Sequence, residues 1–583
     1  METQTKEINS PLQKLVTNDS LLLYLNKNNL NFQLTPSSGR GIVALKKIEV
    51  NELVLKSSPL GFIPGKNSID KDVCGQCCVK LSDTKRFWCS GCKSIAYCDQ
   101  PCQLSSWIMG HKWECQYYQQ QLLKYHKHAQ NVVSKNNPGR WKEDTTAHWQ
   151  EIVMLRRVCL SLWALNYLEI KAEQLTKNEK QVYIRLKLLW KAQSLLVSHI
   201  NEFAPDQLAH FEKTAKIVRN QLELILPRYR FDNFGWLPNL SELIKLQAQF
   251  HCNNFDIHDS QLYAMGQGTF PIGSLFNHSC SPNVLVLYQH QTDHLTQRMI
   301  SLCPIYKGQE LTICYIDLIY SRQRRQLLLN SKYFFDCNCN RCFNENDDHD
   351  KLAQWIGLYK NHPPCNSPLY TAKFTNDHLR LVIKNFDIEE NRLSENSLDD
   401  LVTLVKCIYI KNSKDVANNS QSLSKDFVSA LMQLFIQDII LPIERNTPPK
   451  ISKQVLNHLT TNSSEFQSLT SKFSNCLNSS DWLSSIMLGM TILTIYYLSY
   501  PLYHPIISLH YLTLTKALYN YALQYLKSHP SDMAVVYSCL GQWLKRAERM
   551  KELQVSETDC LIIDINQLRS DITKEISISS KNT

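Results

Sequence analysis

Asn277-His278-Ser279-Cys280-Ser281-Pro282-Asn283 decides how this chain folds, and it has to be read with Gly308-Gln309-Glu310-Leu311-Thr312-Ile313-Cys314-Tyr315 a little further on. The first stretch is too polar for the core of a strand and too particular for an ordinary loop. The second is a glycine turn feeding a short apolar strand that ends in Cys-Tyr. Packing alone accounts for neither.

The bulk of the chain narrows the setting. At 583 residues it is too long for one core, so several domains are expected. Hydrophobic content of 43% and charged content of 20% describe an ordinary globular protein. Glycine numbers only 16, well under the usual ~7%, which leans toward helix. A formal charge of +10 over this length permits contact with nucleic acid without predicting it. Met1–Asn31 lacks a basic region followed by an apolar core and a cleavage site, so no secretory leader is expected. Trp482–Tyr503 carries no charged residue, but Ser, Thr, Gly and Tyr lace it; it reads as a buried helix and no membrane contact is expected. The 21 cysteines then point to metal ligation rather than disulfides.

In chain order, residues 1–31 read as a lead-in, helical through Leu21-Leu22-Leu23-Tyr24-Leu25. Residues 32–73 contain Ser38-Gly39-Arg40-Gly41-Ile42-Val43-Ala44, a glycine-flanked turn, and the alternating run Ile48–Leu55, read as strand. By itself a lone Gly-x-Gly is a hairpin turn. Residues 74–115 hold Cys74-x-x-Cys77, Cys89-x-x-Cys92, Cys98-x-x-x-Cys102 and His111-x-x-x-Cys115. Each pair can reach one tetrahedral Zn²⁺, whose thiolate bonds are ~2.3 Å, and four pairs make two sites. So small a segment has little core, and metal binding would supply its folding energy. Cys78 is a surplus thiol. Residues 116–250 are helical, with Ile152, Leu155, Cys159 and Leu162 in one amphipathic run and Leu186–Leu196 in another; both read as packing helices. Residues 251–320 begin with Cys252-Asn253-Asn254-Phe255-Asp256-Ile257 and include both opening stretches. In 321–345, a helix over Ser321–Ser331, basic at Arg322, Arg324 and Arg325, delivers Tyr333-Phe334-Phe335-Asp336-Cys337-Asn338-Cys339-Asn340-Arg341-Cys342. Its three cysteines are one short of a tetrahedral site. Residues 346–583 read as helical. Ile507, Tyr511, Leu514, Leu518, Tyr521 and Tyr525 mark one helix; Val536, Leu540, Trp543, Ala547 and Met550 mark an antiparallel second after a His529-Pro530 break. Asp387–Asp400 and Lys411–Ser424 read as exposed loops and the tail after Asp571 as disordered.

The two opening stretches resemble the signature segments of SET-domain lysine methyltransferases, which that family threads through one another as a pseudoknot. The cysteine array, with Tyr97 before Cys98 and Trp113 before the last ligand, resembles the MYND zinc finger. The order of segments is similar to that of the SET-and-MYND lysine methyltransferases over nearly the whole chain, with the specific motifs between Gly39 and Cys342. The resemblance implies an α+β fold: a split β-rich SET domain with an inserted MYND finger and a helical insertion, a post-SET zinc site, and an all-α helical-repeat C-terminal domain. It implies interleaved finger ligands, Cys74, Cys77, Cys98 and Cys102 on one zinc and Cys89, Cys92, His111 and Cys115 on the other. Cys280 would join Cys337, Cys339 and Cys342 on a third. It implies S-adenosylmethionine as cofactor, met by Gly39, Arg40, Gly41, Ser274, Phe276, Asn277, His278 and Phe335. Tyr315 would be the catalytic tyrosine, with Phe255 and Tyr333 forming the lysine channel.

Methyl transfer from a sulfonium asks little covalent work of a protein: it must align a neutral amine with the methyl group and exclude water. An aromatic channel lowers a lysine pKa by desolvation, and no general base is expected. The chain departs from the family pattern at Asn51, where Gly is usual, at Gln309, where Glu is usual, and at Phe270, where a Tyr would place a hydroxyl near the substrate cleft. The expected function is a protein-lysine N-methyltransferase acting on a protein substrate, as a monomer in cytoplasm and nucleus. The alternative is a zinc-dependent interaction scaffold with an inactive SET fold, its finger binding proline-rich peptides as in related proteins. A nucleic-acid role for Lys71, Lys80, Lys85, Arg86, Lys93 and Lys112 is the third reading. A solvated charged face explains them more simply.

Overall fold

The structure, a computed structural model, describes residues 20–35, 39–65, 73–81, 86–129, 149–226, 237–290, 294–320, 322–344, 463–501, 503–525, 540–541, 543–553 and 559–579. The expected loops at 387–400 and 411–424, the His529-Pro530 break, Val536, Lys71 and Lys85 lie outside them.

Strands come in separated blocks. Four precede or open the cysteine-rich segment: β1 (Leu30–Thr35), β2 (Gly39–Ala44), β3 (Leu53–Ser57) and β4 (Gly61–Pro64). Within it lies a short hairpin of β5 (Phe87–Trp88) and β6 (Ala96–Tyr97). Six follow the helices: β7 (Asn254–His258), β8 (Ala264–Thr269), β9 (Asn277–His278), β10 (Val284–His290), β11 (Leu295–Ser301) and β12 (Glu310–Ile313). The early strands pair with the late ones. β3 runs antiparallel to β11, with Leu55 opposite Met299, and β4 antiparallel to β8, with Gly61 opposite Thr269. Everything between β4 and β7 is thus an excursion from one β core.

The first sheet has the order β1-β2-β12-β9. β12 pairs antiparallel with β2 on one side and parallel with β9 on the other, Thr312 opposite Asn277 and Ile313 opposite His278. The chain leaves β9 through the β10–β11 hairpin and returns between β9 and β2, so the two opening stretches are threaded together. Gly308, at φ 82°, makes the turn that starts the return.

Four sequence expectations shift, one of them at the far end, where residues 572–579 continue a helix although the tail after Asp571 is expected to be disordered. The run Ile48–Leu55 is extended only from Leu53: Ile48 makes a single bridge to Ile305, and Asn51 sits at φ 61° in a turn. Asn tolerates the left-handed region better than most residues, which explains how it stands where Gly is usual. Gly39–Ala44 is strand rather than turn, and β1 already begins at Leu30, inside the stretch read as a helical lead-in.

The helices are α1 (Ser20–Lys27), α2 (Gln100–Ser106), α3 (Lys112–Ala129), α4 (Trp149–Ile170), α5 (Lys177–Gln193), α6 (Pro205–Ile225) and α7 (Leu240–Asn253). Thr176 with Glu179, and Asn239 with Glu242, form capping boxes that start α5 and α7, and Pro205 opens α6. One apolar cluster joins the sheet residues Ile42 and Ile313 to Tyr97 and Trp113 of the cysteine segment and to Leu160 and Leu186 of the helices. The cysteine segment is therefore packed onto the body, not tethered to it.

After the β core come α8 (Arg322–Tyr333) and α9 (Asn340–Asn344), then α10 (Ser463–Asn478), α11 (Trp482–Ser499), α12 (Pro505–Tyr525), α13 (Arg549–Glu552) and α14 (Cys560–Ser579). α11 is the apolar stretch singled out above. Its Ser485, Ile486 and Leu493 are buried, and no described helix is long and apolar enough to cross a membrane. Ile486, Tyr511, Trp543 and Ile565 share a core with Leu302, Leu318 and Leu329, so these helices pack on the β core. Arg298 donates to the Leu553 carbonyl at 3.1 Å and Ser260 to Asp559 at 2.6 Å, which ties the last helices to β11 and to the β7–β8 turn.

Candidate active site

The threaded crossing is held by its own asparagines. Asn277 donates through Nδ2 to the Arg40 carbonyl (2.8 Å) and to Glu310 Oε1 (2.7 Å). Asn283 donates to the Glu310 carbonyl and accepts from the Thr312 N–H, both at 2.8 Å. The stretch is polar because both its ends are hydrogen-bonded to β2 and β12. Gly41 faces the same knot: a Cβ there would lie 2.3 Å from Glu310 Oε1.

Two hollows flank the crossing. A cavity of about 930 Å³ is lined by Gly39, Arg40, Asn277, His278, Glu310 and Phe335. A cleft of about 510 Å³ is lined by Phe255, Asp256, Val284, Asp317, Tyr500 and His504, among others. Cys252, Asn253, Ser274, Tyr315 and Tyr333 border both hollows, so these residues form the wall between them.

Aromatic rings dominate that wall. Tyr315 has its ring centroid 4.9 Å from Tyr333, 5.3 Å from His278 and 6.5 Å from Phe335. The Tyr315 hydroxyl donates to the Phe276 carbonyl at 2.6 Å, and the Tyr333 hydroxyl to the Tyr315 carbonyl at 3.2 Å. Burial pushes both phenols above their ordinary value, so both stay protonated. Burial also lowers His278 to about 4 and raises Cys252 to about 12, leaving the first unprotonated and the second a thiol. Three successive aromatics diverge here because Phe334 takes φ 60°, a strained value for a bulky residue. Tyr333 faces the wall, Phe335 the cavity, and Phe334 packs at 4.9 Å on Phe203 of the helical block.

Among the residues expected around a cofactor, Gly39, Arg40, Ser274, Asn277, His278 and Phe335 line the cavity. Gly41 and Phe276 do not. Gly41 faces the Asn277–Glu310 knot, and the Phe276 ring is fully buried in the core, offering only its carbonyl to Tyr315. Phe255 borders the cleft alone. Phe270, expected near the cleft, is fully buried against Phe255 and Tyr288. The Arg40 guanidinium is half-buried beside the cavity and pairs with no described carboxylate, a ready partner for an anionic group.

Three sets of four ligand atoms lie within 4.8 Å of one another: Cys74, Cys77, Cys98 and Cys102; Cys89, Cys92, His111 and Cys115; Cys280, Cys337, Cys339 and Cys342. A tetrahedron with ~2.3 Å zinc–sulfur bonds has edges of about 3.8 Å. Cys77–Cys98, Cys89–Cys115 and Cys280–Cys342 are separated by 3.6, 3.7 and 3.6 Å, so each set fits one Zn²⁺. Cys78 stands apart, buried in a separate apolar cluster.

Residues that sequence reading passed over complete these sites. Glu114, buried beside His111, accepts from Arg156 at 2.9 and 3.2 Å and lies 3.6 Å from Arg157 Nε, joining the cysteine segment to α4. These guanidinium groups hold its carboxyl far below the usual carboxylate range against the cost of burial. Arg325, one of the three arginines of the basic helix, is 1% exposed and donates to Cys280 Sγ at 3.2 Å and to the Tyr320 carbonyl at 2.7 Å. Arg341 donates to the carbonyls of Cys280, Leu318 and Ser499. Lys112, counted in the basic face, instead lies 4.1 Å over Trp113 and 3.6 Å over Tyr167.

The SET-domain family profile matches residues 39–316. Histone-lysine N-methyltransferase ASHR1 of Arabidopsis thaliana is 28% identical over 315 residues, 54% of this chain and 55% of that protein. Histone-lysine N-methyltransferase SMYD3 of Homo sapiens is 27% identical over 323 residues, covering 55% and 62%. N-lysine methyltransferase SMYD2 of Homo sapiens is 26% identical over 318 residues, covering 54% and 61%. The chain thus spans between about half and three-fifths of the length of the curated relatives it matches.

Proposed function

We propose that this chain, whose residues 39–316 match the SET-domain profile and which is 27% identical to SMYD3, is a SET-and-MYND-type S-adenosylmethionine-dependent protein-lysine N-methyltransferase with three structural zinc ions. The observation that carries the reading is the wall of Tyr315, Tyr333 and Ser274 shared by two hollows on opposite sides of the threaded crossing. One hollow has the size of a small-molecule site and a half-buried cation; the other mixes aliphatic and aromatic side chains with polar ones, Asp256, Asp317, His258 and Lys332 among them.

When bound, the cofactor supplies a methyl group already activated by a sulfonium. The chain's own work is alignment and dehydration. Arg40 is the partner for the cofactor's carboxylate, and Phe335 offers a flat face for a purine. The substrate lysine enters from the cleft past Phe255, between Tyr315 and Tyr333. The Tyr315 hydroxyl spends its proton on the Phe276 carbonyl, so its oxygen remains an acceptor for the polarised methyl. The aromatic walls disfavour the charged ammonium, and its proton leaves to water in the cleft. No side chain at the wall is a base: the phenols stay protonated and Cys252 stays a thiol. The exposed Phe87 and Trp88 of the finger hairpin are the face we assign to proline-rich segments.

Tyr315→Phe tests the reading. Methylation of cell extract with isotopically labelled cofactor should fall about 100-fold. Calorimetric titration should find cofactor affinity within about twofold of the parent, since the hydroxyl faces the transferred group. Unchanged turnover would sink the proposal and leave the scaffold alternative.

A further inference from the structure

His278 resembles a cofactor contact by its place in the motif, yet both of its ring nitrogens are engaged elsewhere. Nδ1 lies 3.0 Å from the backbone nitrogen of Tyr315. A backbone N–H can only donate, so Nδ1 accepts and carries no proton. The proton of the neutral ring is therefore on Nε2, which lies 3.3 Å from Cys280 Sγ. The sulfur gives the same direction independently: a metal-bound thiolate has no proton and can only accept. Cys280 Sγ thus receives two N–H donors, Nε2 of His278 and Nε of Arg325 at 3.2 Å.

We infer that His278 is a positioning residue, a strut that fixes the catalytic tyrosine to the third metal site. Its Nε2–H is held by the metal-bound sulfur of Cys280, and its Nδ1 holds the backbone N–H of Tyr315. The imidazole is pinned at both ends, so the tautomer and the ring orientation are set by the cluster. Tyr315 in turn sets its hydroxyl against Phe276 and its carbonyl against Tyr333. A displaced backbone at 315 would therefore move two members of the wall, and displacements of an ångström at a reacting centre cost on the order of 100-fold in rate. With both ring nitrogens taken, the His278 ring has no hydrogen bond left for a ligand in the cavity it lines, and cofactor affinity is expected to rest on Arg40, Asn277 and Phe335. The strut rests on the reading of Tyr315 given above, whereas the metal contact stands apart from it.

Two substitutions separate the two contacts. His278→Asn keeps an amide near the position of Nδ1 and loses the contact to sulfur; His278→Gln reaches the position of Nε2 and loses the acceptor for Tyr315. The full chain loaded with an NMR-active cadmium isotope gives one resonance per cluster. His278→Asn should move the third-cluster resonance and leave the two finger resonances in place. His278→Gln should keep all three near their parental positions. Each should lower kcat about tenfold with cofactor Kd within about twofold. A third-cluster resonance unmoved in His278→Asn would overturn the sulfur contact. A Kd that rises in proportion to the loss in kcat would make His278 a cofactor ligand and overturn the strut. The unsubstituted protein supplies an arm free of folding effects. Its His278 should carry an Nε2 proton coupled to cadmium through the N–H···S contact, and a ring protonated on Nδ1 overturns the inference. Should Tyr315→Phe prove silent, the methyltransferase reading falls while the cadmium result still decides the metal contact.

Discussion

The finger clusters and the third cluster are built from the same chemistry at the same spacing, but they are stitched into the chain differently. The finger draws its eight ligands from residues 74–115, so both sites close within one segment. The third cluster takes Cys280 from the threaded crossing, Cys337 and Cys339 from the loop after α8, and Cys342 from α9. Its sulfur touches His278, and through it the backbone of Tyr315; the finger meets α4 through Glu114, Arg156 and Arg157. What a metal site does here is set less by its ligands than by which other residues share their loops.

The sharpest way to break that contrast is to remove one ligand from each kind. Cys280→Ser and Cys98→Ser should each lower bound zinc from three per chain to two, read by elemental analysis. Only Cys280→Ser should lower turnover, by about 100-fold, together with a weaker cofactor affinity, because its loop carries Asn277 and His278. Cys98→Ser should keep turnover within a few-fold at a temperature where the protein stays folded. Equal losses in the two variants would abolish the distinction.

The contrast was half legible in the sequence. Paired cysteines three or four residues apart announce themselves because one metal can reach both, and the two signature stretches stand out because packing does not require them. Contacts between distant segments leave no such trace. Asn283 and Glu310 are 27 positions apart and meet only because β12 returns beside β9. Nothing in the sequence marks Arg325 out from the other two arginines of its basic helix, but four sulfurs in one place attract a cation and justify burying it. Gly41 and Phe276 were placed at the cavity by their neighbours in the motif. A Cβ at Gly41 would meet Glu310 and Asn277, and the Phe276 ring is fully buried in the core, contacts with distant segments that the motif does not reveal. Glu114 had no signal beyond its position before Cys115.

Glu114 gives the next test, on the finger side. It is buried with two guanidinium groups, and Glu114→Gln removes the charge while nearly keeping the shape. Losing one partner of a buried ion pair costs on the order of 3 kcal/mol, so a lower Tm is expected, with zinc still at three per chain and turnover close to parental. A drop in turnover with stability intact would mean that the finger speaks to the channel after all, and that the two regions are not separate.

The smallest expected effect is the absence of one, and it comes from how the two regions handle charge. The finger side buries an ionised carboxylate between arginines. At the wall proposed for the channel, burial holds neutral the groups that could act as acid or base: Tyr315 and Tyr333 above the ordinary phenol value of 10.0, Cys252 and Cys314 near 12, His278 near 4. A phenol with a raised pKa keeps its proton at every pH below its ordinary value, and an imidazole with a lowered one stays unprotonated at every pH above it. Neither changes state between about pH 6.5 and pH 9. The substrate amine is then the group left to titrate. The rate should rise about tenfold per pH unit until the bound amine is neutral and then run level, with no fall before pH 10. A descending limb in that range would reveal an acid that the reaction needs, and a bell would replace the desolvated channel with acid–base catalysis.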